Sequence, residues 1–245
     1  MPLRGRCGVS RKAGRKPISV LVTNFDRVGL THSELETLLH EFGHVMHGVL
    51  SQTEYNQHSG TSVERDFVEA PSQMYEEWTR KKEPLRLLHQ YCKACPEVDE
   101  ALVKRLHAAR SFGRGIQYGR QHLYASYDMA LFGEREVDPM QGWIRMEGET
   151  PTGYVPDTQF PGTFGHLVGG YGAGYYGYMW SEVLALDMLS VYGKNLMNPA
   201  VGRRFRDLIL SNGGQRPAAE MVREFLGRDP SPKAFFEEIT GQRSD

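Results

Sequence analysis

The sequence predicts a mainly α-helical domain with a small β-sheet near its N-terminus. Three observations lead there. Apolar residues recur at three- and four-residue spacing through most of the stretch from Leu35 to Leu226. One β-branched run, Ile18-Ser19-Val20-Leu21-Val22-Thr23-Asn24-Phe25, precedes them and reads as a strand. Glycine, proline and capping residues then divide the rest into segments of helical length. With 245 residues, 40% of them hydrophobic and 24% charged, a sizeable core can form.

The first segment, residues 1–16, carries Arg4, Arg6, Arg11, Lys12, Arg15 and Lys16 and no acidic residue. It lacks the apolar stretch of a secretory signal and reads as a solvated basic tail, with residues 17–245 as the folded domain. A mitochondrial transit peptide is a second reading, weakened by the lack of an amphipathic apolar face. A net charge of −1 gives no general attraction to nucleic acid or membrane. No run of about 18 apolar residues predicts a transmembrane helix. Cys7, Cys92 and Cys95 do not make a disulfide framework, which points to a reducing compartment and hence the cytoplasm. The lone pair Cys92-Lys93-Ala94-Cys95 reads as structural or incidental.

The predicted strand leads through a short loop with Gly29 into the segment that carries chemistry. Thr31 and Glu34 have capping-box spacing, and Leu35, Leu38, Leu39, Phe42, Val45, Met46 and Val49 follow at helical positions. A buried helix over about 33–50 is expected. Inside it stands His40-Glu41-Phe42-Gly43-His44. Residues four apart lie within ~40° of each other and ~6 Å apart along the axis, so His40 and His44 can reach one Zn2+. Glu41 lies at the edge of that face, placed to act as general base on the attacking water without being a ligand. Gly43 suits close approach of another backbone or of a substrate.

A catalytic zinc site needs a third protein ligand. His47, Glu54, His58, Glu64, Asp66 and Glu69 are near in sequence. His47 lies ~10 Å along the axis from His40, too far for both to hold one ion, and reads as a core histidine. A carboxylate on the next helical segment, running from about Val63 to Thr79, is favoured among the others, with Pro71 tolerable in a first turn. Glu36 and Asp66 are each one turn from a candidate ligand and could orient it.

Two separated stretches now decide between these. His40-Glu41-Phe42-Gly43-His44-Val45-Met46-His47, and Glu64-Arg65-Asp66-Phe67-Val68-Glu69-Ala70-Pro71-Ser72-Gln73-Met74 after Ser59-Gly60-Thr61, resemble the thimet oligopeptidase/neurolysin family of zinc metallopeptidases, the M3 type. The resemblance implies Glu69 as the third zinc ligand and a zincin-like helical catalytic domain.

Further helices are predicted in order. Leu85, Leu87, Leu88 and Tyr91 mark one. Pro96 opens the next, with Val98, Leu102, Val103 and Leu106 inward, and Ser111-Phe112-Gly113-Arg114-Gly115 breaks it. Residues 117–132 and 142–149 form two more. A long loop then runs from Thr150 to Phe164-Gly165-His166-Leu167-Val168-Gly169-Gly170-Tyr171-Gly172-Ala173-Gly174-Tyr175-Tyr176-Gly177-Tyr178. Glycine-rich backbone with phenols and an imidazole can close over a peptide and donate to a developing oxyanion. Trp180-Ser181-Glu182 follows, and the whole stretch again resembles the family. That implies substrate or transition-state contacts for His166, Tyr171, Tyr175 and Tyr178, with Tyr178 at the oxyanion. The family usually has Tyr-Asp-Ala with a polar residue next where this chain has Tyr171-Gly172-Ala173-Gly174, and the two added glycines are expected to loosen the loop. Helices over 176–192, 199–210 and 217–226 complete the chain.

The resemblance covers about residues 17–240. Family members are longer, with a helical N-terminal portion that walls a channel, so this sequence corresponds to the catalytic half. The implied activity is zinc-dependent cleavage of internal bonds in short unstructured peptides. The alternative is a truncated relative that binds zinc or peptides without turnover.

Overall fold

The computed structural model describes residues 8–241 apart from 93, 96 and 97. The expected helix-opening Pro96, and Arg4, Arg6 and Cys7 of the basic segment, lie outside the described residues. Ten α-helices are seen among the described residues: α1 (His32–Val49), α2 (Glu69–Glu76), α3 (Lys82–Tyr91), α4 (Glu100–Ser111), α5 (Arg114–Leu131), α6 (Pro139–Gly148), α7 (Gly177–Leu189), α8 (Pro199–Phe205), α9 (Ala218–Leu226) and α10 (Lys233–Ile239).

Their ends follow local chemistry. Thr31 caps α1 through its hydroxyl to the Glu34 amide at 3.2 Å, and Glu34 returns a carboxylate to the Thr31 amide at 2.8 Å. Pro71 stands in the first turn of α2, where its missing N–H costs nothing. Asp99, Asp138 and Asn198 cap α4, α6 and α8. Gly113, at φ 70°, makes the left-handed link into α5.

The larger core joins α2 with α7–α10 through Met74, Leu186, Met188, Met221, Val222 and Phe225. A smaller, aromatic one gathers Leu123, Tyr127, Trp143, Phe164 and Tyr175 from α5, α6 and the glycine-rich loop. Helix α2 lies between α1 and α7, so it ties the motif helix to the larger core.

Three expectations are corrected. No strand forms among the described residues, where the small N-terminal sheet was predicted. Residues 18–25 run without regular structure, and Ile18, Val20 and Val22 are exposed. A β-prone segment becomes a strand only when a neighbouring strand takes its backbone hydrogen bonds. The bridge between Ser10 and Arg15 is an isolated pair, and Ile18 likewise forms a bridge without extending into a strand. Secondly, α1 is not buried throughout: Gly43, His44 and His47 are, whereas Phe42 and Val49 are exposed. Phe42 keeps an edge-on ring contact with Tyr75 of α2, centroids 6.2 Å apart. Thirdly, α3 buries Leu85 but leaves Leu87, Leu88 and Tyr91 exposed, and α4 buries no residue.

Part of the basic segment is docked. Val9 and Ser10 are buried, and the Val9 amide donates to Ser59 Oγ at 2.9 Å. Cys92 and Cys95 are joined by a disulfide with Cα atoms 5.3 Å apart, a distance such a bond spans, so of the two readings the pair takes the structural one. Among the described residues no helix is long and apolar enough to cross a membrane.

Candidate metal centre

The site begins with a missing side chain. A Cβ on Gly43 would lie 2.6 Å from Ser72 Cα, so glycine is what lets α1 and α2 touch backbone to backbone. That contact sets the histidines of α1 against Glu69 at the start of α2. His40 Nε2 lies 3.2 Å and His44 Nε2 3.1 Å from Glu69 Oε2. One ligand atom from each of the three lies within 4.8 Å of the others. Two imidazole nitrogens and one carboxylate converging in this way make a donor set suited to Zn2+.

The surrounding groups orient this set. His40 Nδ1 is 2.8 Å from Glu76 Oε1, which suits donation from Nδ1 and would leave Nε2 as the nitrogen to meet an ion. Ser72 Oγ donates to Glu69 Oε2 at 3.2 Å, and the Tyr171 hydroxyl to Glu69 Oε1 at 2.5 Å. Burial alone would lift the Glu69 carboxyl, but the hydrogen bonds and charges of His40 and His44 outweigh it and hold Glu69 ionised. Burial likewise opposes a charge on His40, yet Glu69 and Glu76 raise it to about 10. Glu41 Oε2 is buried and has no hydrogen-bond partner among the described residues, leaving a carboxylate oxygen able to accept a proton beside the histidines.

His166, Tyr175 and Tyr178 line, with His40, a cavity of about 1010 Å3. The Tyr178 and Tyr171 rings stack 5.1 Å apart, and the His166 ring stands edge-on 5.8 Å from Tyr178. Burial first, with Glu69 adding, pushes the Tyr178 phenol well above its usual value, so it remains an O–H donor. Burial, then Glu69, raises Tyr171 to about 12, and burial, then Tyr124, raises Tyr175 to about 12. Partial burial lowers His166. Tyr175 directs its hydroxyl to Gln121 Oε1 at 3.1 Å. Tyr171 is buried, and its hydroxyl reaches Glu69.

Glu36 and Asp66 do not reach the ligands they were expected to orient. Glu36 takes Arg80 at 2.9 Å, and Asp66 takes the Tyr176 hydroxyl at 3.0 Å. Glu76 does that work for His40; it stands seven residues after Glu69, on the same helical face, a spacing visible in the sequence. His47 is fully buried with neither ring nitrogen partnered among the described residues; burial, and then the charge of His44, lower it to about 3. Sequence reasoning also missed Asp128. This buried carboxylate on α5 accepts the Ala173 amide at 3.0 Å and the Tyr175 amide at 2.9 Å. The glycine-rich loop is therefore held at its middle by Asp128.

Comparison with known proteins agrees with this geometry. The model of peptidase family M3 matches residues 3–241. A thimet-like oligopeptidase of Dictyostelium discoideum is 35% identical over 95% of this chain and 37% of its own length. Saccharolysin of Saccharomyces cerevisiae is 33% identical over 91% of this chain and 33% of its own. Oligopeptidase A of Salmonella typhimurium is 34% identical over 94% and 36%. The chain thus spans about a third of the length of these relatives. A Glu-anchored pair of helical histidines, a tyrosine-rich loop above it and a family match along nearly the whole chain lead to one assignment: the chain belongs to peptidase family M3.

Proposed function

We propose that this chain is the zinc-dependent catalytic part of an oligopeptidase that hydrolyses internal bonds of short unstructured peptides. The observation that carries the proposal is the convergence of His40, His44 and Glu69 beside the unpaired Glu41 carboxylate. His40, His44 and Glu69 would hold the ion. Zinc bound there supplies Lewis acidity, activating water and polarising the scissile carbonyl. Glu41 takes the proton of the attacking water and returns it to the leaving amine. Tyr178, kept protonated by its surroundings, donates to the oxyanion, and the His166 ring beside it assists. Tyr175 shapes the same wall, and Tyr171 positions Glu69.

Relatives named oligopeptidase support the substrate class. Relatives named cytosolic and mitochondrial leave both compartments open to the family, and the Cys92–Cys95 disulfide removes the cysteine argument for a reducing one. The test is zinc content measured together with cleavage of a quenched fluorescent nonapeptide, in the native chain and in Glu41→Gln. One zinc in each, with kcat in the variant lower by about 10²–10⁴-fold, is expected. Equal rates in the two would remove Glu41 from the mechanism. Zinc without cleavage in either would leave the binding-only alternative.

A further inference from the structure

The cavity beside the metal centre is walled by α1, α2, α4, α5 and α7, and its charges are unevenly matched. Four arginines line it, and each is already committed. Arg80 donates to Glu36 and Glu77, Arg110 to Glu77 and Glu238, Arg114 to Glu238, and Arg120 to Glu147. Four carboxylates line it too: Glu36, Glu76, Glu77 and Glu182. The first two face Arg80 and a histidine, and Glu77 faces two arginines. Glu182 is the exception. Its partner is neutral, the Tyr118 hydroxyl, which donates to Oε1 at 2.6 Å.

We infer that Glu182, oriented by Tyr118, is the recognition group of a subsite for a cationic side chain, lysine or arginine, of the bound peptide. Glu182 is four residues after Tyr178 on α7, hence on the same face and ~6 Å further along the axis. A group bound there lies one helical turn from the group that meets the oxyanion. Tyr118 occupies one carboxylate oxygen and leaves the other for the ligand. A partly buried carboxylate whose hydrogen-bond partner among the described residues is neutral is costly to keep, and a cation delivered by the ligand offsets that cost. Burial pushes the Glu182 carboxyl up despite the Tyr118 hydrogen bond, as a site short of positive charge should. Arg110 is the nearest rival counter-ion, and Glu77 and Glu238 hold its guanidinium at 2.9 and 3.1 Å.

The peptide identity of the ligand rests on the function proposed above, so the experiment has two readouts. Peptides that differ only by arginine, lysine, norleucine or glutamate at successive positions are assayed for kcat/KM with the zinc-loaded chain. The same peptides, singly labelled, are titrated by fluorescence anisotropy into Glu41→Gln. Arginine or lysine at one position should improve kcat/KM over norleucine about tenfold, through KM, with a matching ratio in Kd. Glu182→Gln should reduce that ratio to about one, and Glu182→Asp should keep most of it. Equal treatment of cationic and neutral peptides by the native chain overturns the inference, as does binding of none of them. A preference that survives Glu182→Gln overturns it equally. Selective binding without cleavage keeps the subsite and rejects the peptidase reading; cleavage without selectivity does the reverse.

Discussion

His40 can offer Nε2 as a ligand only while something holds its other nitrogen, and Glu76 does so at 2.8 Å. Arg80 lies 3.6 Å from the second oxygen of Glu76 and keeps the carboxylate in place. Removing such a partner frees the ring to rotate and lowers its basicity, which for metal-bound histidines costs about 10–100-fold in affinity. Glu76→Ala should weaken zinc binding by that factor in competition with a chromogenic chelator, while Glu76→Gln, still an acceptor, should lose less. Unchanged affinity in Glu76→Ala would show that the ring is held by packing alone. The residues of the site differ in how far the sequence discloses them. His40, Glu41 and His44 are legible because one helix fixes their spacing. Glu69 needed the second motif, since spacing alone left several carboxylates open. The hydroxyl of Tyr171 on Glu69 and the hold of Asp128 on the loop join residues 102 and 45–47 positions apart. Only the folded chain brings such groups together.

At the scale of elements, the contact of α1 with α2 depends on a glycine that intrinsic propensity disfavours. Alanine in a helix interior gains about 1 kcal/mol over glycine. At Gly43 that gain meets the Ser72 backbone at 2.6 Å, where nothing flexible can yield, and overpacking of this kind costs about 1–3 kcal/mol. Gly119 in α5 has no atom within 4 Å of its Cβ position, so the same substitution there keeps the gain. Denaturant unfolding should find Gly43→Ala destabilised by up to about 2 kcal/mol and Gly119→Ala stabilised by up to about 1 kcal/mol. Stabilisation of both would mean that the helices slide apart at little cost. Helices of this chain were legible because their period and caps are local. The strand was not, because a strand is a relation between two segments. The apolar stripes of α3 and of the outer face of α1 were read as buried for a related reason: periodicity reports which face is apolar, and only the fold decides whether that face is covered.

For the molecule as a whole, an ion at the candidate metal centre would be a clasp between unequal parts. Helix α2 belongs to the larger core through Ala70 and Met74, whereas α1 buries only Gly43, His44 and His47 and has exposed apolar residues on its outer side. An ion held by two ligands from α1 and one from α2 therefore ties a lightly packed helix to a well-packed one. Binding to the folded chain alone stabilises it by RT ln(1 + [L]/Kd), about 2.7 kcal/mol when free zinc is 100 times Kd. In a domain of this length each kcal/mol moves Tm by about 2–4 °C, so zinc should raise Tm by roughly 5–11 °C and chelation should reverse the rise. Glu69→Gln loses the carboxylate charge at the centre, and its Tm should move by no more than about 2 °C over the same titration. If native and variant chains rise together, the ion is binding elsewhere, and the assignment of His40, His44 and Glu69 fails. If zinc raises Tm only in the native chain while hydrogen exchange slows in α1 and α2, the clasp is the source of the stability. Slower exchange spread evenly over all helices would instead mean that α1 and the core already unfold as one unit without the ion.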